Sequence, residues 1–207
     1  FVHILGGTLV KMMLITGRLR ADLERQASLD PLTGLLNRRA FALVAEPVLA
    51  RVARGGPGAA LLMLDLDHFK RINDTLGHAQ GDETLRGFAA RLGTTLRAGD
   101  SQCRLGGEEF AALLPGLDRA GALAVAERLR RIQAEAPGPS GGGAVTVSIG
   151  IAEARAGEGL DALMRRADQA LYRAKAGGRD RCVVEEAAAD ASGAPGGEAV
   201  AFTGRAG

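Results

Sequence analysis

An unbroken apolar run that ends in two carboxylates sets the first constraint on this chain. Residues Ala59 to Leu66 read Ala-Ala-Leu-Leu-Met-Leu-Asp-Leu, and Asp67 follows at once. The run is short and shows no polar alternation, so it predicts a strand covered on both faces. Carboxylates at the end of such a strand are costly to bury unless a cation or a set of hydrogen-bond donors compensates them. The chain must therefore fold in layers around this strand and bring compensating groups to its end. Alternation puts Asp65 and Asp67 on one face if the strand continues, whereas Asp67 also stands where it would cap a following helix.

Helical and strand patterns alternate around that run. Phe41, Val44, Val48 and Val52 recur at helical spacing and stop at Arg54-Gly55-Gly56-Pro57-Gly58. Leu85, Phe88, Ala89, Leu92 and Leu96 mark a second long helix, and Ala122, Ala126, Leu129 and Ile132 a third. Leu163, Met164, Ala167 and Leu171 lie inside a fourth, Leu160 to Ala174. Cys103 to Leu105 and Phe110 to Leu114 predict two strands joined at Gly106-Gly107-Glu108-Glu109, and Val145 to Ala152 and Arg181 to Glu185 predict two more. Helices crossing between strands, with one tight hairpin, specify an α/β layer fold with a mixed sheet.

The ends read differently. Phe1 to Gly17 is mostly apolar and is followed by Arg18 and Arg20, while Leu5, Leu9, Met12, Leu19 and Leu23 fall on a 4,3 stripe. Residues 1–28 are read as a connecting or dimerising helix, with the end of a membrane span as the competing reading. The latter would tether a cytoplasmic domain to an inner membrane. Residues 29–185 form the globular domain, and 186–207, rich in Ala, Gly and Ser, are expected to be a disordered tail.

Composition narrows the function. Of 207 residues, Lys+Arg number 26 and Asp+Glu 24, and aromatics are 3% with no Trp. A near-neutral chain poor in aromatics has neither the basic surplus nor the stacking platforms of a nucleic-acid binder. Cys103 and Cys182 are far apart, outside any CxxC spacing, and predict neither a zinc site nor a disulfide.

If the hairpin lies beside the Asp65 strand, Asp65 and Glu108 converge. Hard oxygen donors of that kind suit Mg²⁺, which binds through one or two carboxylates plus substrate phosphates. The chemistry implied is phosphoryl or nucleotidyl transfer. Phosphate also needs donors. Lys70 stands in the first turn of a helix, where the dipole favours anions, and Lys175 and Arg179 add positive charge. Asn73 and Asp82 together could read a purine edge, because a carboxylate accepts from the N–H and amine pair of guanine. For Asp82 a plain helix cap is the alternative role.

These residues resemble the GGDEF family of diguanylate cyclases. The resemblance is carried by Asp30-Pro31-Leu32-Thr33-Gly34-Leu35-Leu36-Asn37-Arg38-Arg39, by Asp65 to Asp74, by Gly77-His78 with Gly81-Asp82, and by Arg104-Leu105-Gly106-Gly107-Glu108-Glu109-Phe110. Val147 to Ala152 and Ala167-Asp168 through Arg181 complete the series. The resemblance implies a five-stranded, largely antiparallel sheet flanked by helices, similar to the nucleotidyl cyclase and polymerase palm core. It implies condensation of two GTP into cyclic di-GMP with release of two pyrophosphates, in an antiparallel homodimer and with Mg²⁺ or Mn²⁺.

Position by position, it places metal on Asp65, the Leu66 carbonyl and Glu108, and catalysis on Glu108, Glu109 and Lys70. It places guanine on Asn73 and Asp82, and triphosphate on Lys70, Lys175 and Arg179 with the backbone at His68, Phe69, Gly106 and Gly107. Arg97-Ala98-Gly99-Asp100 matches the family's inhibitory RxxD motif, with Arg128 as a second clamp on the bound product. Three departures stand out: Glu108 for the commoner Asp, Leu105 for an aromatic, and Asp180 for Asn, whose charge is expected to weaken GTP binding modestly. The alternative is a degenerate domain that only senses GTP or cyclic di-GMP. Degeneracy removes a signature glycine or glutamate, Asp65 or Lys70, and all are present.

Overall fold

The structure, a computed structural model, describes Ser28–Glu185. The segments read as a connecting helix and as a tail lie outside the described residues. Among the described residues no helix is long and apolar enough to cross a membrane.

Within them one sheet contains β1 (Leu36–Asn37), β2 (Ala59–Leu66), β3 (Ser101–Gly106), β4 (Glu109–Pro115), β5 (Val147–Glu153) and β6 (Cys182–Val184). The helices are α1 (Arg38–Ala53), α2 (Phe69–Leu76), α3 (His78–Thr95), α4 (Arg119–Glu135) and α5 (Leu160–Ala176). Strand order is β1-β3-β4-β2-β5-β6. The outer pairs β1/β3 and β5/β6 are parallel, and the inner pairs are antiparallel. Five of these strands are the predicted ones. The sixth, β1, is two residues long, too short for any period to show, and exists because Leu36 and Asn37 pair with Cys103 and Arg104.

β2 is the centre of the molecule, and every one of its residues is buried. Leu61, Leu62, Leu64 and Leu66 have no exposed surface, and each gains roughly 1.5 to 3 kcal/mol by leaving water. Their sum exceeds the several kcal/mol that a partnered buried carboxylate such as Asp65 costs in the same strand. Alternation divides the core. Ala60, Leu62, Leu64 and Leu66 pack with α3 and α4 through Phe88, Leu92, Ala126 and Leu129. Ala59, Leu61 and Met63 pack with α1 and α5 through Phe41, Leu49, Leu163 and Leu171. Asp65 continues the second row, so its side chain faces the layer that carries α5.

α5 lies unusually close to the sheet at Gly150 of β5. A Cβ there would sit 2.1 Å from the Ala167 carbonyl oxygen and 2.2 Å from the Leu171 nitrogen, both backbone atoms that cannot rotate away. Gly150→Ala is expected to lower stability by about 1 to 3 kcal/mol or more through this overlap. Chemical denaturation of the variant, with an unchanged midpoint as the contrary outcome, checks it.

Candidate active site

Asp65 is the last residue but one of β2. It pairs in register with Glu109 across β4 and with Ser148 across β5, and the Leu66 N–H reaches the Glu108 carbonyl at 3.4 Å. The predicted convergence of Asp65 with the signature hairpin is therefore realised. Lys175, in the last turn of α5, donates from Nζ to Asp65 Oδ2 at 2.7 Å. Burial pushes the Asp65 carboxyl up to about 6; the Lys175 ammonium opposes that shift, and the charges of Glu108 and Glu109 add to it. The one ammonium at Asp65 thus works against the charge of two further carboxylates.

The turn that supplies Glu108 depends on two glycines, with φ of 151° at Gly106 and 51° at Gly107. Side chains are strongly disfavoured at such angles. Arg104 holds the turn: its Nε and Nη2 donate to the Gly107 carbonyl at 3.0 and 2.8 Å. Its Nη1 lies 3.3 Å from both carboxylate oxygens of Asp30, which also accepts from the Thr33 N–H and hydroxyl. The Asp30-Pro31-Leu32-Thr33 motif is thereby tied to the signature turn. Sequence reading gave neither Asp30 nor Arg104 a role, because their partnership spans most of the distance between the motifs.

Asp67 is not a helix cap. The residue before α2 is His68, held at φ 58° with no side-chain capping bond. Asp67, 3% exposed, instead accepts from the Ser148 and Thr146 hydroxyls at 2.7 Å each and from the Asp180 N–H at 3.0 Å. These donors arrive from β5 and from the loop before β6, which local sequence does not reveal. Lys70 is exposed in the first turn of α2, behind the buried Phe69. It makes no hydrogen bond or ion pair with the described residues, and neither does the Arg179 side chain.

Asn73 is brought against Gly81, the residue before Asp82. α3 begins at His78, so Gly81 and Asp82 lie inside a helix and Asp82 caps nothing. A Cβ on Gly81 would meet Asn73 Oδ1 at 2.0 Å, so the Asn73 amide lies directly over Gly81 and beside the next residue, Asp82. Asp82 has only a 4.0 Å contact with Arg86, both side chains about half exposed, and this leaves its carboxylate available.

Asp180 also departs from expectation. Its carboxylate accepts from Arg130 Nη1 at 2.9 Å, and its charge is neutralised by α4 rather than added to a phosphate site. Arg97 and Asp100 pair at the far end of the β3/β4 hairpin, roughly 20 Å from the signature by strand rise. Asp100 accepts from the Arg97 N–H and Nε at 3.0 and 3.2 Å. Arg97 also donates to the Pro115 carbonyl, and Arg128 donates to the Thr95 carbonyl at the end of α3. Both cysteines are free; burial pushes the Cys103 thiol up to about 12, far from reactive. A hollow of about 680 Å³ between α1 and the start of α5 contains none of these site residues.

A family model of the diguanylate cyclase GGDEF domain matches residues 27–181. The chain belongs to the GGDEF family. It is 43% identical over 184 residues to the response regulator PleD of Caulobacter vibrioides, covering 85% of this chain and 40% of PleD. It is 45% identical to the diguanylate cyclase DgcP of Pseudomonas aeruginosa over 165 residues, 79% of this chain and 25% of DgcP. This chain thus spans well under half the length of these relatives. Among solved structures, the GGDEF domain of DgcB from Caulobacter crescentus in complex with c-di-GMP aligns with a TM-score of 0.74 at 37% identity. That alignment covers 78% of this chain and 98% of the other. The active GGEEF domain of a diguanylate cyclase from Vibrio cholerae aligns at 0.70 and 32% identity, over 74% and 99%.

This GGDEF domain offers a divalent cation a fitting set of donors. Among the described residues no three His, Cys, Asp or Glu side chains gather as a ready-made metal cage. Mg²⁺ and Mn²⁺ do not need one, since carboxylates, a carbonyl, waters and phosphates complete their shells. The carboxylate surplus around Asp65 is the observation that favours such an ion.

The raised Asp65 pKa has a sign that can be tested. Its penalty is absent below the unfolded value near 3.8, grows as pH rises, and is complete once pH exceeds about 6. In metal-free protein Asp65→Asn is therefore expected to raise Tm at pH 8, with the gain over the parent shrinking to nothing near pH 4. Calorimetry of both proteins across that range measures it.

Proposed function

We propose that this domain condenses two GTP into one cyclic di-GMP with release of two pyrophosphates. The observation that carries this reading is the joint placement of Asp65, the Gly106–Glu109 turn and Lys175, with Lys70 and Arg179 left unpaired nearby in the sequence motifs. Metal would be held by Asp65, the Leu66 carbonyl and Glu108, as Mg²⁺ or Mn²⁺. When bound it would neutralise phosphate charge and acidify the attacking hydroxyl.

This chain's own groups do the rest. Lys70, Lys175 and Arg179, with backbone N–H groups at His68 and Phe69, bind the triphosphate. Gly106 and Gly107 leave room for it against the turn. Asp82 accepts from the guanine N–H and amine while the Asn73 amide completes the edge, so adenine is refused. The 3′-hydroxyl of one GTP attacks the α-phosphorus of the other, and Glu109 stands at the exit of the turn where that reaction occurs. One domain holds one GTP, so two domains must face each other for both bonds to form. The homodimer is the active species, and residues upstream of the domain pair its copies, with membrane tethering as the other role open to them.

Cyclic di-GMP is also the inhibitor. Arg97 and Arg128 present guanidinium groups suited to phosphate and guanine edges, with Asp100 as acceptor. Their present partners are largely carbonyls and each other, which a dianionic ligand replaces. The contrasting reading, a domain that binds nucleotide without turnover, lacks a supporting feature, because no group the reaction needs is missing.

Incubation with GTP and Mg²⁺ is expected to give cyclic di-GMP on chromatography; its absence from a dimeric preparation overturns the reading. Glu108→Gln keeps the shape of the side chain and removes its charge, so turnover should fall by about 10²-fold or more with folding intact. Arg97→Ala should leave turnover unaltered and raise the cyclic di-GMP concentration needed for half inhibition, and an unmoved inhibition curve refutes the assigned site.

A further inference from the structure

The loop between α5 and β6 adopts an unfavourable backbone. Arg179 and Asp180 are consecutive non-glycine residues at φ 61° and 43°, after Gly178 at φ 114°. Left-handed conformation at adjacent side-chain-bearing residues persists only where surroundings enforce it. Two contacts on Asp180 do so. Its N–H donates to Asp67 Oδ2 at 3.0 Å, tying the loop to the end of β2. Its carboxylate accepts from Arg130 Nη1 at 2.9 Å, tying the loop to α4.

Arg130 is itself oriented, since its Nε donates to Glu127 Oε2 at 2.9 Å. α4 is a stiff platform for it: Gln133 Nε2 donates to the Val145 carbonyl at 2.6 Å, and Gln133 Oε1 accepts from Arg91 Nε at 2.7 Å. By contrast, Arg179 has an exposed side chain with no partner among the described residues. Its direction is set only by the backbone on which it stands.

We infer that Arg130 and Asp180 are a positioning pair that locks the Arg179 loop and thereby sets the affinity for the triphosphate of the substrate. This rests on the reading of Arg179 as a triphosphate ligand. Asp180 serves by fixing its neighbour's backbone rather than by touching substrate. Asn at 180 keeps an acceptor for Arg130 and tolerates the left-handed region, whereas Ala does neither.

Steady-state pyrophosphate release from the full chain tests this with three groups of variants. Arg130→Ala and Asp180→Ala should each raise KM for GTP roughly 3- to 10-fold with kcat little changed, and together no more than either alone. Asp180→Asn should restore KM to within about twofold of the parent, an outcome a simple loss of fold stability does not give. Arg179→Ala should raise KM as well, and adding Arg130→Ala to it should change nothing further. If Arg179→Ala raises KM while Arg130→Ala and Asp180→Ala leave it unmoved, the positioning pair is overturned and the ligand reading stands. If Arg179→Ala leaves KM unmoved, the ligand reading falls and the pair falls with it. Circular dichroism of each variant, with Arg130→Gln as a milder replacement, separates these results from misfolding.

Discussion

The ion pair between Asp65 and Lys175 is the contact on which the rest of this structure turns. β2 is stabilised by burying leucines on both faces, and the same burial makes a carboxylate at its end unfavourable. The compensating ammonium comes from the far end of the domain, in the last turn of α5. α5 delivers it because Gly150 lets the helix backbone rest directly on β5. Glu108 and Glu109 then press further negative charge against a site that one ammonium cannot balance. A strand built for stability thus ends in a place built to attract cations and phosphates.

Elsewhere the acids near this site are satisfied. Asp67 is satisfied by two hydroxyls and an N–H, Asp30 by Arg104 and Thr33, and Asp180 by Arg130. The cations expected on phosphate are treated differently: Lys70 and Arg179 are exposed and unpaired among the described residues. Arginine and lysine left without such partners cost little in water and are ready for an anionic ligand. Arg97, Asp100 and Arg128 stand apart from the signature: Arg97 and Asp100 pair at the far end of the β3/β4 hairpin, and Arg128 is held by the Thr95 carbonyl.

Much of this was legible before any coordinates. The buried strand, the hairpin, the four long helices and the convergence of Asp65 with Glu108 follow from apolar period, turn residues and the cost of buried charge. The errors were local ones with nonlocal causes. Asp67 resembled a cap because its real donors, Ser148 on β5 and Thr146 just before it, are distant in the chain. Asp82 resembled a helix cap because glycine usually breaks helices, whereas Gly81 lies inside α3, where the Asn73 amide leaves no room for a Cβ. Asp180 resembled an electrostatic fault because Arg130 is distant in the chain. β1 escaped notice since two residues carry no period.

The amino-acid order alone determined which residues are candidates for metal, phosphate and guanine, and on which kinds of element they sit. Those are matters of residue type and short spacing, and both are written in the chain. Tertiary structure decided which charges are spent and which stay available. It gave Asp65 a lysine and Asp180 an arginine, left Lys70 and Arg179 unpaired among the described residues, and set Arg104 between Asp30 and the signature turn. Pairing of this kind depends on distances of a few ångströms between groups that are far apart in sequence, and only the packed sheet and its helices fix those distances.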